Sequence, residues 1–198
     1  TLLALQAVKL PKIQVHLGYR PDRTHLSTFS RYVVKGAPKA NITVGFLEMC
    51  SRFIRTNPPH SWAWFFEDDV RACNVKKMED LTVLYHVPID AEMIIPIRTL
   101  GNDKVFYHPQ QTVYRRAWSG GMNQAMLVST SACQKIIRYA KKFGWKYVVD
   151  IDLYRLAKDC QCIPTGYDGH QENPWIHLSK KIPSEDTISM YSMNSYLF

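Results

Sequence analysis

Glu67, Asp68 and Asp69 stand side by side, directly after the apolar run Trp62-Ala63-Trp64-Phe65-Phe66. Three adjacent carboxylates repel one another unless a cation lies among them. Hard divalent cations take oxygen ligands and can hold phosphates at the same time, so the triplet offers a metal and phosphate site. A solvated turn or a helix N-cap uses the same residue types. The preceding run weighs against that plainer reading. Five apolar residues without alternation suit a strand covered on both faces of an α/β sheet, and such sheets bind ligands at the carboxyl ends of their strands.

Three other stretches carry chemistry. Gly18-Tyr19-Arg20-Pro21-Asp22-Arg23 follows a strand-like segment, and the guanidinium forks of Arg20 and Arg23 suit a diphosphate or a carboxylate. On this stretch alone, a turn whose arginines cap a helix or meet surface acids is the commoner explanation. Trp118-Ser119-Gly120-Gly121-Met122-Asn123-Gln124 holds two glycines, which let a backbone approach a ligand or adopt positive φ. In Tyr147-Val148-Val149-Asp150-Ile151-Asp152-Leu153 an apolar stretch again meets acids, and Asp150 is placed to cap a following helix. His170 and His177 lie in the carboxyl-terminal part of the chain.

A chain of 198 residues, 46% hydrophobic and 21% charged, suits one globular domain with a substantial core. No apolar run approaches the roughly 20 residues of a bilayer-spanning helix, and no charged, apolar and cleavage pattern opens the chain. It starts at Thr1, as a fragment excised from a longer chain would. The net charge of +8 favours an anionic partner: nucleic acid, a membrane surface or a phosphorylated small molecule. The basic residues fall in scattered pairs such as Lys76-Lys77, Arg115-Arg116, Lys141-Lys142 and Lys180-Lys181, which read as a solvated surface. Cys50, Cys73, Cys133, Cys160 and Cys162 are odd in number and lack zinc spacing. They read as mostly buried thiols in a reducing compartment, with the cytoplasm expected.

The elements that must position these groups follow from periodicity. Strands are expected over 12–17, 62–66, 92–97, 125–129 and 161–165, with a hairpin or strand within 105–118. Helices are expected over 25–34, from Asn41 or Thr43 to Asn57, over 76–86, over 132–143 with Ser131 as cap, and over 151–158. Gly144 and Pro58-Pro59 read as stops. The order strand, helix, helix, strand at the start suits a parallel crossover. Residues 174–198 read as a loop or wrap.

Taken in order, these segments resemble the family 25 glycosyltransferases, the group of lipopolysaccharide and collagen galactosyltransferases. Val15 to Arg23 is similar to the family's opening strand and Arg-rich turn. Phe65-Phe66-Glu67-Asp68-Asp69-Val70 looks like its apolar-Glu-Asp-Asp signature. Ser119 to Ser129 resembles its Gly-Thr-x-Ala-Tyr-Leu-Ile-Ser segment, and Val149-Asp150-Ile151-Asp152-Leu153 its Val-Asp-x-x-Leu. Gly45 to Cys50 sits where the family has a Gly-x-x-x-Ser-His helix, without the Ser-His. The chain is also similar to glycosyltransferase domains of viral capsid-glycosylating proteins.

The resemblance implies a GT-A type α/β domain over 1–198, with a mixed, mostly parallel central sheet flanked by helices. It implies a UDP-sugar donor, manganese or magnesium, a glycan or glycoprotein acceptor, and inversion at the anomeric carbon. By the same resemblance Asp69 is the first metal ligand, Glu67 reaches the metal or the ribose beside Asp68, and His170, ahead of His177, completes the metal site. Leu17, Gly18, Arg20 and Arg23 line the nucleotide pocket, with Ser119, Gly120 and Gly121 on the sugar side. Asp150 is the base, with Asp152 in reserve. Two other classes compete. A metal-dependent phosphohydrolase would use the same carboxylates but needs more ligands for a two-metal site. A basic nucleic-acid-binding domain would explain the charge, but not acids at a strand end, and no binding motif is present.

Overall fold

The computed structural model describes residues 20–37, 39–66, 88–95, 114–116, 125–157, 162–164, 175–177 and 182–193. The strands expected at 12–17 and 105–108 and the helix at 76–86 lie outside them. So do Leu17, Gly18, Glu67, Asp68, Asp69, Ser119, Gly120, Gly121 and His170.

The chain folds as mixed α/β. Strands β1 (Trp62–Phe66), β2 (Met93–Ile95), β3 (Tyr114–Arg116), β4 (Ala125–Ser129) and β7 (Met190–Met193) form one sheet in the order β1-β4-β2-β7-β3. A second pair, β5 (Cys162–Pro164) and β6 (Trp175–His177), is antiparallel. The expectation of a mostly parallel sheet does not hold among the described residues. β1 with β4, β4 with β2, and β3 with β7 run antiparallel, and β2 with β7 alone is parallel. Apolar runs fix that a segment is a strand, while direction depends on which end of the sheet each connection returns to.

Phe65, Met126, Val128, Met93, Ile95 and Met190 project from one face of the sheet into the core. Helices α1 (Ala40–Thr56) and α2 (Thr130–Phe143) cover that face with Phe46, Leu47, Cys50 and Phe53 from α1 and Cys133, Ile136 and Tyr139 from α2. Ala125, Leu127 and Ile94, on the opposite face, are buried as well. The strand covered on both faces is therefore β4, buried along its whole length. In β1 only Phe65 is buried and Trp62 is 37% exposed, which corrects the reading of the aromatic run. Trp64 and Phe66 instead stack on each other, with ring centroids 5.8 Å apart.

The helix expected over 25–34 is replaced by two 3-10 turns, Pro21–Leu26 and Ser30–Tyr32. Ser27 interrupts it: its hydroxyl accepts from Phe29 N and donates to the Glu48 carboxylate, holding an extended kink. Helix α1 starts at Ala40, where the Lys39 carbonyl accepts from both Ile42 N and Thr43 N. The start lies one residue before Asn41, the earlier of the two expected. Asn57 Nδ2 and Thr56 Oγ1 satisfy the last carbonyls at Phe53 and Arg52 before Pro58-Pro59. Helix α2 is capped by Ser129, which accepts from Ala132 N at 3.1 Å, rather than by Ser131. Gly144, at φ 72°, ends it where the sequence places the stop.

Residues 182–193 form more than a wrap. They contribute β7, an inner strand between β2 and β3. Serines at every third position, Ser189, Ser192 and Ser195, break the period-two pattern of a strand. Helix α2 holds the approach to this strand: Lys135 Nζ donates to Glu92 Oε2 at 2.6 Å and to the Thr187 carbonyl at 2.7 Å. Arg138 and Lys142 both pair with Asp186 at 3.2 Å. No helix among the described residues is long and apolar enough to cross a membrane.

Candidate functional site

Strand β1 ends at Phe66, the residue before Glu67, and its register partner on β4 is Ala125, the residue after Gln124. The last residue of β1 and the first of β4 thus lie at the same end of the sheet. Beyond Ser129, at the far end, α2 turns the chain back. Past the end of α2, Trp145 packs on Phe46 with ring centroids 6.1 Å apart, and Phe46 packs on Phe65 at 6.3 Å. This aromatic bridge ties the exit of β1 to the short connection that opens α3 (Val149–Leu156). Asp150 lies in the first turn of α3, half-buried, where the helix dipole favours a negative charge. The helix begins at Val149, two residues before the start at Ile151 that a cap at Asp150 requires.

Asp152 has a different environment. It is fully buried, and its Oδ2 accepts from Lys146 N and Tyr147 N, each at 2.7 Å. Oδ1 accepts from Tyr139 Oη at 3.1 Å and from Arg155 Nη1 at 3.3 Å. These donors occupy the carboxylate inside the protein, so its evident work is to fix the connection between α2 and α3. Burial pushes its pKa above the ordinary aspartate value, against the opposing pull of those donors. The same burial, with the Asp152 charge, raises the Tyr139 phenol, which stays protonated as a donor. The sequence offered Asp150 and Asp152 as a pair, and folding separates them. Helical spacing of two residues sends side chains to different faces.

Arg20 and Arg23 are both exposed, and neither makes an ion pair among the described residues. The Arg20 carbonyl accepts from Arg23 N at 2.9 Å, so the two belong to one turn. His177 belongs to β6, with Cys162 as its register partner on β5. Among the described residues no three His, Cys, Asp or Glu side chains gather as a metal site.

Sequence reasoning missed Glu92 as more than a strand residue. Its carboxylate accepts from Ser131 Oγ, Lys135 Nζ and Ser189 N, joining β2, α2 and the start of β7. No local motif signals this hub, because its partners lie 39, 43 and 97 residues away. Comparison of the chain with protein-family models, with curated proteins and with solved structures gives no match.

Proposed function

We propose that this chain is a metal-dependent, inverting glycosyltransferase that moves a hexose or deoxyhexose from a UDP-sugar to a hydroxyl of a glycan or glycoprotein. The observation that supports the reading is the register pair Phe66 and Ala125: β1 ends one residue before Glu67 at the sheet end where β4 begins, and in sequence β4 follows the Ser119-Gly120-Gly121 segment. The aromatic link from Phe65 through Phe46 to Trp145 supports adding Asp150 to that end. The ordered resemblance to the family 25 enzymes supplies the chemistry.

In this reading Asp69 holds manganese or magnesium, with Glu67 and His170 as further ligands; carboxylate oxygens suit such hard cations. When bound, the ion offsets the charge that develops on the leaving diphosphate. Asp68 assists on the nucleotide side, and Leu17, Gly18, Arg20 and Arg23 hold the nucleotide, the arginines facing phosphate oxygens. Ser119, Gly120 and Gly121 lie along the sugar. Asp150 accepts the proton of the attacking acceptor hydroxyl. Its place at a helix start favours the ionised form and so moderates its basicity. Asp152 is the weaker candidate, because four donors already hold it.

Calorimetric titration of UDP into the wild type and Asp69→Ala, with and without manganese, tests the reading. Metal-dependent binding that is lost in the variant is the expected result. A folded wild type that binds no UDP under any metal condition overturns it.

A further inference from the structure

From Arg23 to Leu47 the chain contains no Asp or Glu, and neither does the stretch from Thr130 to Val149. The fold lays these two acid-free stretches side by side. Val34 N donates to the Trp145 carbonyl at 2.8 Å, and Trp145 N to the Tyr32 carbonyl at 2.7 Å, forming a parallel bridge at Val33 and Trp145. Arg31, Lys35 and Lys146, each within two residues of the bridge, are exposed, and so are Lys39 and Lys141 further along the same two stretches. None of them makes an ion pair among the described residues, whereas Lys142 beside them is paired with Asp186. Positive charge that looks scattered along the sequence thus flanks one backbone junction without an ion-pair partner among the described residues.

Aliphatic side chains are exposed along the first of these stretches. Val34 is 41% exposed and Ile42 47% exposed. Two successive backbone turns hold them close in the chain, Ala37 N bonding to the Val34 carbonyl and Ile42 N to the Lys39 carbonyl. A single exposed aliphatic is ordinary. Branched aliphatics set among unpaired cations are the combination that suits the interface of an anionic bilayer, where the cations meet headgroup phosphates and the alkyl groups enter the acyl boundary. A single-stranded nucleic acid would instead use stacking planes, and a duplex would meet the cations with its phosphates but give the aliphatic groups nothing to enter. The ring at hand, Tyr32, is half-buried with the Arg31 guanidinium 4.8 Å over its centroid.

We propose that these two stretches, through Val34, Lys35, Ile42 and Lys146, dock the protein on the surface of an anionic phospholipid bilayer. The contact is peripheral, and it uses none of the residues assigned to the nucleotide or to proton transfer.

Co-sedimentation of the whole chain with phosphatidylcholine vesicles, with and without phosphatidylserine, tests the proposal. Binding is expected only with phosphatidylserine. Lys35→Ala with Lys146→Ala should weaken it about 25-fold, at roughly fivefold per basic residue near the surface, and Lys39→Ala with Lys141→Ala should act in the same direction. Val34→Ser with Ile42→Ser should weaken vesicle binding while leaving any binding to duplex DNA unchanged. All these positions are exposed, so thermal melting should match the wild type. Absence of binding to phosphatidylserine vesicles, or equal binding to neutral ones, overturns the proposal. Loss with the lysine variants but none with the aliphatic variant also overturns it, in favour of a general polyanion surface.

Discussion

Tyr139 donates its hydroxyl to Asp152 at 3.1 Å across the joint between α2 and α3, and both residues are shut away from solvent. Removing that hydroxyl takes one of four donors from a buried carboxylate. Tyr139→Phe should lower stability by about 1 kcal/mol, the usual net worth of one hydrogen bond. Asp152→Ala leaves Lys146 N, Tyr147 N and Arg155 without their acceptor, and should cost about 3 kcal/mol or more. Urea unfolding midpoints at fixed pH measure both. If Asp152→Ala were as stable as the wild type, the carboxylate would not be what holds the joint.

The raised pKa of Asp152 also sets a pH dependence. The folded state binds this proton more tightly than the unfolded chain does. Stability from this group is therefore complete below the ordinary aspartate pKa and declines as pH rises through the higher folded value. The stability advantage of the wild type over Asp152→Asn should shrink as pH increases through that window, because the variant has no proton to lose. Paired urea titrations across the window read the difference, and an advantage that grew with pH would contradict the sign.

Glu92 and Lys135 lie at 2.6 Å with 15% and 18% of their side chains exposed, so solvent screens them only in part. Lys135→Met removes the countercharge and the donor to the Thr187 carbonyl. A loss of about 1.5–3 kcal/mol is expected, the range for hydrogen bonds to charged groups. Hydrogen exchange should show the loss first in Ser189 to Met193, because Lys135 and Glu92 hold the approach to β7. A uniform loss across the molecule would argue against local anchoring.

Cys50 and Cys133 are free and fully buried on facing helices, and burial with the neighbouring thiol pushes the Cys50 pKa well up. A protonated, inaccessible thiol does not attack an alkylating reagent. Peptide mapping after iodoacetamide treatment should find both unmodified in the native protein and modified in urea. Native labelling at either would show that the interface between α1 and α2 opens.

Under the proposed transferase activity, Asp150→Asn keeps the helix start but removes the base. Sugar transfer should fall by about 10²–10⁴, the range for general-base catalysis, with UDP affinity unchanged. Transfer at the wild-type rate would move the base elsewhere.

The sequence by itself determined the local elements whose signals are covalent and short-ranged. The apolar runs at 62–66 and 125–129 became strands, the periodic stretch before Pro58-Pro59 became α1, and Gly144 stopped α2. It also marked Asp150 and Asp152 as a pair worth attention. Only the tertiary structure decided what each would do, because burial and partnership are properties of packing. Asp152 went into the core beneath Tyr139, while Asp150 stayed half-buried. Strand direction, the inner place of β7 and the three-way hub at Glu92 rest on contacts between residues far apart in the chain. The charge followed the same rule: the acid-free stretches are visible in the sequence, but a backbone bridge from Val33 to Trp145 is what joins them. A periodicity extends a few residues and a hydrogen bond across a fold can span a hundred, and that difference in range separates what was legible from what was not.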